Sequence, residues 1–528
     1  MSSEKSNKIT YKPEDLANLD YQTHLGDPGC PPYTRGIYNA MYQGRPWSIR
    51  QFSGFGTPEQ TNERFKYEYS IGQTGLSIAF DVITYAGLDS DHQEGFMDVG
   101  QSGVPVSSLE DMEIMLEGLP IENLATVVVA SPITSCPLTA MYFALAEKRG
   151  FSLAELNGTT QNDIITFQAS CNYNTFISPK NQLKLSVDLI EWCAQHVPKW
   201  HPVSFASYNF RENSITAAEE LGMLFAEVKD YLDEELRRNC LKIDEFVPTF
   251  SFHLASHNDI LEEAAKFRAA RRMWHKFLKE RYGNENPANK FKIHVQTSGT
   301  THTYQQPINN IIRIAYQTLA AALGGVQSIH ANSFDEALCL PTKESLLISV
   351  RTQQIAQCES GVTKAVDPLG GSYYVEALTD KIEQQAWSFM EEIEKVGGVI
   401  AALEAGWVHD QFTRRMLDYD KKVNDGEIKI VGVNCHRMDE EIQEVPRFRL
   451  EPGLAEGRAK KVADLKKRRD RQKVAETLAR LRQATRDGEN VMPATIEAVK
   501  AYATIQEVCD IWREFYGVWI PPLGKQLG

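Results

Sequence analysis

Between residues 36 and 395 short β-rich runs alternate with helical ones, and this alternation limits the fold more than any other feature of the chain. The runs "GLSIAFD" (75–81), "TVVVAS" (126–131), "PVSFASY" (202–208), "FVPTFSFHL" (246–254), "KIHVQTSG" (292–299) and "QSIHANS" (327–333) read as strands. Helical runs lie between them. In "ILEEAAKFRAARRMWHKFLKERYG" (260–283) Phe267, Ala270, Trp274 and Phe277 share one face, and "NNIIRIAYQTLAAALGG" (309–325) is stopped by a glycine pair. Strand, helix, strand repeated this often in one domain implies a parallel sheet, and the common closed form at this size is the (β/α)8 TIM barrel. The expectation is an α/β chain in three parts: an N-terminal arm over 1–35, rich in Pro and Gly, the barrel over 36–395, and a charged helical extension over 396–528.

The strands carry more polar residues than a packed barrel interior allows. Val, Ile and Leu fill most such interiors, yet Ser77, Ser204, Ser207, Ser251, His294, Gln296, Ser328, His330 and Asn332 stand in these runs. A barrel that threads a long polar ligand along its axis has this pattern; polar residues at strand ends beside loops give it too. With 70 acidic against 56 basic residues and a net charge of −14, the chain is a poor surface for nucleic acid or anionic membrane, which leaves small molecules and other proteins as partners. No apolar run reaches the roughly 18 residues of a membrane span. The nine cysteines are scattered and form no Cys-x-x-Cys pair, so neither a disulfide framework nor a zinc ribbon is encoded, no metal site is expected, and the natural setting is a reducing cytoplasm. The basic run at 456–484 alternates with Asp464, Asp470 and Glu476 and reads as the solvated face of a helix.

One short stretch points to an anion. "RPWSIRQFSGFGTPEQTNERF" (45–65) sets Arg45, Trp47, Arg50 and Phe52 within eight positions ahead of a glycine-bracketed turn, and paired arginine forks suit phosphate. With its surroundings, "RGIYNAMYQGRPWSIRQFSGFG", "GQTGLSIAFD" and "GLDSDH", it resembles the opening of the barrel in the methylmalonyl-CoA mutase family, adenosylcobalamin-dependent enzymes that rearrange acyl-CoA carbon skeletons. Further similar stretches follow in order: "GTTQNDI" (158–164), "QTSGTTHTYQQPINNIIR" (296–313), "QSIHANSFDEALCLPT" (327–342), "ESGVTKAVDPLGGSYYVEALT" (359–379) and "EKVGGVIAALEAG" (394–406). The resemblance covers roughly residues 30 to 480.

The resemblance implies a site. Tyr38, Met41, Arg45, Ser48, Arg50, Ser77, Ser251, Gln327 and Ser328 would hold coenzyme A. Glu336 and Asn332 would hold the adenosyl ribose, Tyr208 would lie beside the adenosyl group, Gln161 would meet the acyl group, and His294 and Gln296 would line the substrate channel. In such enzymes homolysis of a cobalt–carbon bond supplies the radical, so the protein must position groups and exclude water.

Four positions around the acyl group depart from methylmalonyl-CoA mutases. Phe52 replaces a tyrosine, Tyr173 falls where the carboxylate-binding arginine stands, Asn209 replaces a histidine that polarises the thioester carbonyl, and Arg211 replaces a glutamine. A buried carboxylate without its donors costs several kcal/mol, so methylmalonyl-CoA is not the expected substrate. The aromatic pair Phe52 and Tyr173, with Arg211 as a relocated carboxylate partner, would suit an arylsuccinyl-CoA such as (2-aminophenyl)succinyl-CoA; an isobutyryl-CoA or 2-hydroxyisobutyryl-CoA type of substrate stays open. The cobalt-binding Asp-x-His-x-x-Gly loop of the family has its nearest text in "DSDHQEG", where His92 and Gly95 keep the spacing but Ser90 replaces the aspartate. The cobalamin domain is therefore expected on a separate small subunit, in a dimer of heterodimers docked through the extension. A non-catalytic, coenzyme A-binding assembly subunit is the rival reading from another class.

Overall fold

In the computed structural model of the chain, residues 8–170, 176–438 and 445–522 are described. The strand segments form two parallel ladders of five. Ser48–Ile49 and Phe52–Ser53 are successive stretches of one strand, β1; the first pairs with the last strand in sequence and the second with the next. Trp200–His201 and Ser204–Ala206 are likewise two stretches of one strand, β5, each pairing to a different side. The ladders thus join at both seams, and their ten segments make eight strands in a closed parallel barrel. The others are β2 (Gly75–Ile78), β3 (Ala125–Val129), β4 (Gly158–Gln161), β6 (Ser251–Ser256), β7 (Ile293–Thr297) and β8 (Ser328–His330).

A helix follows each strand on the outside: α1 (Pro58–Ser70), α2 (Leu109–Met115), α3 (Pro132–Lys148), α4 (Pro179–His196), α5 (Ala217–Arg238), α6 (Ile260–Tyr282), α7 (Asn310–Leu323) and α8 (Lys343–Cys358). Local sequence sets their ends. Asp259 caps α6 by accepting from the Leu261 and Glu262 amides, and Gly283 ends it at φ 62°, a left-handed position that glycine adopts without strain.

The six expected strands are present, each shorter than its run, and one is displaced. Residues 243–249 are helical turns around Pro248 rather than the start of β6, because proline has no amide hydrogen for a ladder. Sequence patterning did not mark β1 and β4 as strands. "SIRQFS" and "GTTQ" carry polar residues on both faces, so neither shows the apolar alternation that identifies a strand.

Period two along each strand divides the molecule. Outward residues such as Leu76, Ile78, Val128, Trp200, Phe205, Phe252, Leu254, Val295 and Ile329 are buried under the helices, and the hydrophobic core lies in that shell. The arm wraps α6, whose Arg271 donates to the Tyr33 and Thr34 carbonyls. The C-terminal helices Arg471–Asp487, Met492–Lys500 and Ile505–Tyr516 share one apolar cluster with α1, α2, α3 and α4, with Trp512 fully buried in it. Among the described residues no helix is long and apolar enough to cross a membrane.

Candidate active site

The inward faces enclose a cavity of about 640 Å³ whose wall takes residues from all eight strands. Its character changes along its length. At the N-terminal mouth stand Tyr38, Met41, Arg45, Lys292 and Gln327; Lys290 lies outside with its ammonium 4.7 Å from the Tyr38 ring centre. Small side chains follow: Ser48, Ser77, Ser204, Ser251, Ser328, Ala125 and Thr159. At the C-terminal end are Phe52, Tyr85, Phe167, Val129, Gln161, Tyr208, Asn209, His253 and Gln296.

The mouth holds charge without a counter-charge. Arg45, Arg50, Lys290 and Lys292 form no ion pair among the described residues, and the buried Nε of Arg50 has no hydrogen-bond partner there. Burial first, and then Arg45, lower the Arg50 pKa from 12.5 to about 10. Burial and Lys290 lower that of Lys292 as well. Four clustered cations, of which Arg50 and Lys292 are desolvated, without an ion-pair partner among the described residues, are arranged for an anionic ligand.

The imidazoles deeper in are neutral. Burial is the leading cause in each case: it brings His330 to about 4 and, with His330 and Arg50 adding repulsion, His253 to about 3. His294 falls well below its usual value for the same reasons. Their contacts hold them in place. His294 Nδ1 lies 2.7 Å from Ser328 Oγ, His330 Nδ1 accepts from the Phe52 amide at 2.8 Å, and His253 Nδ1 meets Gln161 Oε1 at 3.2 Å. The His253 ring stacks on Tyr208 at 5.4 Å, with 9° between planes, and lies 4.7 Å from the His294 ring.

Beyond Tyr208 the C-terminal rim is acidic. The Tyr208 hydroxyl accepts from the Gly299 amide at 3.4 Å, and Glu212 accepts from Ser298 Oγ at 2.6 Å and the Thr300 amide at 2.7 Å, holding that loop over the channel end. Asn332 spans β7 and the rim, accepting from Gln296 Nε2 at 3.1 Å and donating to the Thr297 carbonyl at 2.8 Å. Glu336 keeps a solvent-exposed face in a crowded recess. Crowding by protein atoms first, then Asp335 and Glu212, raise its carboxyl to about 7.

Of the polar strand residues, Ser77, Ser204, Ser251, His294, Gln296 and Ser328 line the cavity, whereas Ser207, His330 and Asn332 serve bonds within the protein shell. All nine residues assigned to coenzyme A lie in the cavity wall, with Phe52, Gln161, Tyr208 and Asn209. Arg211 does not. Its side chain is 3.6 Å from Glu262 and 3.7 Å from Glu263 in the first turn of α6, and it donates to the Ile215 carbonyl, so the expected free carboxylate partner is already engaged outside the channel. Tyr173 lies outside the described residues. His92 is away from the cavity, its Nδ1 3.3 Å from the Glu94 carbonyl. The sequence reading missed His253, Tyr85, Phe167 and Glu212. The first was findable: once Ser251 is set inward, strand alternation sets His253 inward too.

Fold and site define a barrel with a cavity along its interior, cationic at one mouth and lined by neutral polar and aromatic groups at the other end. The family model described as methylmalonyl-CoA mutase matches residues 1–518. The chain is 38% identical over 513 residues to the 2-hydroxyisobutanoyl-CoA mutase large subunit of Aquincola tertiaricarbonis, covering 97% of this chain and 90% of that one. It is 37% identical over 517 residues to the methylmalonyl-CoA mutase of Rhizobium meliloti (97% and 71%) and 35% identical over 514 residues to the mitochondrial methylmalonyl-CoA mutase of Homo sapiens (97% and 67%). The chain belongs to the methylmalonyl-CoA mutase family, whose members are isomerases that use adenosylcobalamin.

Proposed function

We propose that this chain is the substrate-binding large subunit of a mutase that rearranges the carbon skeleton of an acyl-CoA thioester lacking a free carboxylate on its acyl group. The observation that carries the proposal is the channel itself: cations without an ion-pair partner among the described residues at the mouth, a stretch of serines, and neutral polar and aromatic side chains at the far end. Phosphates suit the first, a pantetheine arm the second, and an acyl group the third. Past Arg50 toward the C-terminal end no lining residue among the described residues is cationic, and Arg211 is committed to Glu262 and Glu263. A substrate carboxylate would be buried there without a donor set, at a cost of several kcal/mol. This favours a branched monocarboxylic acyl group over methylmalonyl- or arylsuccinyl-CoA.

Each residue would act by position. Arg45, Arg50 and Lys292 hold phosphates. The Gln161 and Asn209 amides orient the thioester carbonyl at the channel end, and Tyr208, stacked on His253, separates the acyl group from the rim. The rim fits an adenosyl ribose: the Glu336 carboxylate accepts no hydrogen bond from any described side chain and is available to hydroxyl donors, with Asn332 beside the channel. When bound, adenosylcobalamin supplies the abstraction and return of a substrate hydrogen atom. Keeping water from that chemistry falls to the aromatic wall of Phe52, Tyr85 and Phe167. The relative named a large subunit supports a small cobalamin-binding partner.

The test is reconstitution with that small subunit and adenosylcobalamin, offering isobutyryl-CoA, 2-hydroxyisobutyryl-CoA, methylmalonyl-CoA and an arylsuccinyl-CoA in competition. Preferred conversion of a monocarboxylic ester is expected. Preferred conversion of either dicarboxylic ester overturns the pocket argument, and coenzyme A binding without any turnover would favour the assembly-subunit reading.

A further inference from the structure

Strand β5 leaves the barrel wall early. Its ladder with β6 ends at the pair Ala206 and His253, after which the chain turns into the short helix Tyr208–Glu212, while β6 runs on to Ser256. Successive residues of β6 turn their backbone groups to opposite sides: the Ser251 amide donates to the Val203 carbonyl, and Ala255, four residues on, faces the same way with no strand opposite it. Two side chains take the place of the missing strand. The Ala255 amide donates to Glu220 Oε1 at 3.1 Å, its carbonyl accepts from Lys266 Nζ at 2.8 Å, and the two side chains pair with each other at 2.7 Å. Ala255, Glu220 and Lys266 are fully buried, so an unpaired peptide there would be costly. The same Glu220 oxygen accepts from Ser207 Oγ at 3.0 Å. One carboxylate oxygen thus ties the residue before Tyr208 to the strand that carries His253, and those two rings stack at 5.4 Å. At the other end of the short helix Arg211 reaches Glu263, which pairs in turn with Lys266.

We infer that Glu220, held by Lys266, is a positioning residue that fixes where Tyr208 and Asn209 stand at the far end of the channel, a role that rests on the reading of this channel as an acyl-CoA site and deepens it. Neither Glu220 nor Lys266 lines the cavity; both act through the backbone on either side of the Tyr208–His253 stack. The clasp is balanced within itself, Lys266 and Arg211 standing against Glu220 and Glu263, so it holds its geometry whether or not a ligand is bound. Such holding matters for rate more than for grip. A misplacement of about 1 Å at a reacting centre can cost roughly a hundredfold, whereas the phosphates of coenzyme A would be held at the opposite mouth by Arg45, Arg50 and Lys292.

The test compares three variants of the full chain with the wild type. Ser207→Ala removes one bond of the clasp and leaves its ion pair in place. Glu220→Gln keeps an oxygen that can accept from Ser207 and Ala255. Arg272→Met breaks a different buried pairing of α6, with Asp380 and Glu383, as a control for stability alone. Calorimetry gives the affinities for coenzyme A and isobutyryl-CoA and the number of binding sites. Turnover by the complex reconstituted with the small subunit and adenosylcobalamin is then expressed per binding site, so that unfolded protein does not count. Ser207→Ala should bind coenzyme A within about twofold of the wild type, while the affinity of the ester relative to coenzyme A falls about two- to tenfold. Its turnover per site should fall about tenfold or more. Glu220→Gln should keep most of both, and Arg272→Met should lower the melting midpoint and leave both unchanged. Wild-type values of both in Ser207→Ala overturn the inference, as do equal losses in Arg272→Met. Coenzyme A and isobutyryl-CoA failing to bind the wild type would instead remove the acyl-CoA reading and this inference with it, so the two failures are distinguishable.

Discussion

Replacing Arg50 by methionine should make the ligand-free chain more stable and its ligand binding worse. In the folded chain the Arg50 pKa falls from 12.5 to about 10, chiefly through burial and secondarily through Arg45. That gap corresponds to about 3 kcal/mol by which the fold disfavours the charged side chain. The sign follows from the direction: the folded-state pKa is depressed for a base, so the penalty is complete below about pH 10 and is relieved only between there and 12.5. Methionine keeps most of the length without the charge. With an unfolding entropy of about 2.1 cal/mol/K per residue, a chain of 528 residues changes its midpoint by about 3 °C for about 3 kcal/mol. Coenzyme A should meanwhile lose about 1.5–3 kcal/mol, roughly ten- to a hundredfold, as one charge-assisted contact disappears. The assays are thermal scans at one fixed rate, with and without coenzyme A, and calorimetric titration. A lower midpoint for the ligand-free variant, together with unchanged coenzyme A affinity, would refute the claim that Arg50 is held ready for an anion.

Other substitutions probe the remaining parts. Ser77 is 4% exposed and faces the narrow stretch of the channel, so Ser77→Leu should abolish coenzyme A binding by titration while the midpoint moves little, since it adds apolar bulk to open space. Glu336→Gln should reduce turnover of the reconstituted enzyme far more than it raises KM, because in the proposed arrangement the rim lies beyond the acyl group. The raised Glu336 pKa of about 7 means that the fold disfavours the ionised form, a cost that grows as pH rises through the usual carboxylate range toward 7; the same variant should therefore gain midpoint at pH 8 and not at pH 4. Trp512→Ala should cost about 3–5 kcal/mol, as a fully buried tryptophan in a shared core, and lower a single unfolding transition; a separate early transition would show the C-terminal helices to be independent of the barrel.

The legibility of the chain follows from where its side chains point. Strands with an apolar outward face, such as β6 with Phe252 and Leu254, show themselves by composition, and helix α6 is marked at both ends by Asp259 and Gly283. The cavity is visible in sequence as serines and histidines where a packed barrel has branched aliphatics, and alternation turns that into a list of inward residues. Strands β1 and β4 are hidden because their buried outward residues are polar and bonded: Gln51 donates to the Ala331 carbonyl at 2.8 Å, and Thr160 lies 2.8 Å from Thr139 across Oγ1 atoms.

Arg211 and His253 show the limit from opposite sides. An arginine beside the site's tyrosine reads as a ligand for substrate, yet the first turn of α6, some fifty residues later, brings Glu262 and Glu263 to it, and no local pattern announces that pairing. Histidine at a strand position reads as structural, yet His253 borders the cavity, with Gln161 Oε1 at 3.2 Å as its one hydrogen-bond partner among the described residues. Residue type names the chemistry a side chain can do; whether it is spent inside the fold or left for a ligand is decided by partners distant in sequence. In the reading proposed above, that decision moves the acyl end of the channel from a site for a second negative charge to one for a group without a free carboxylate.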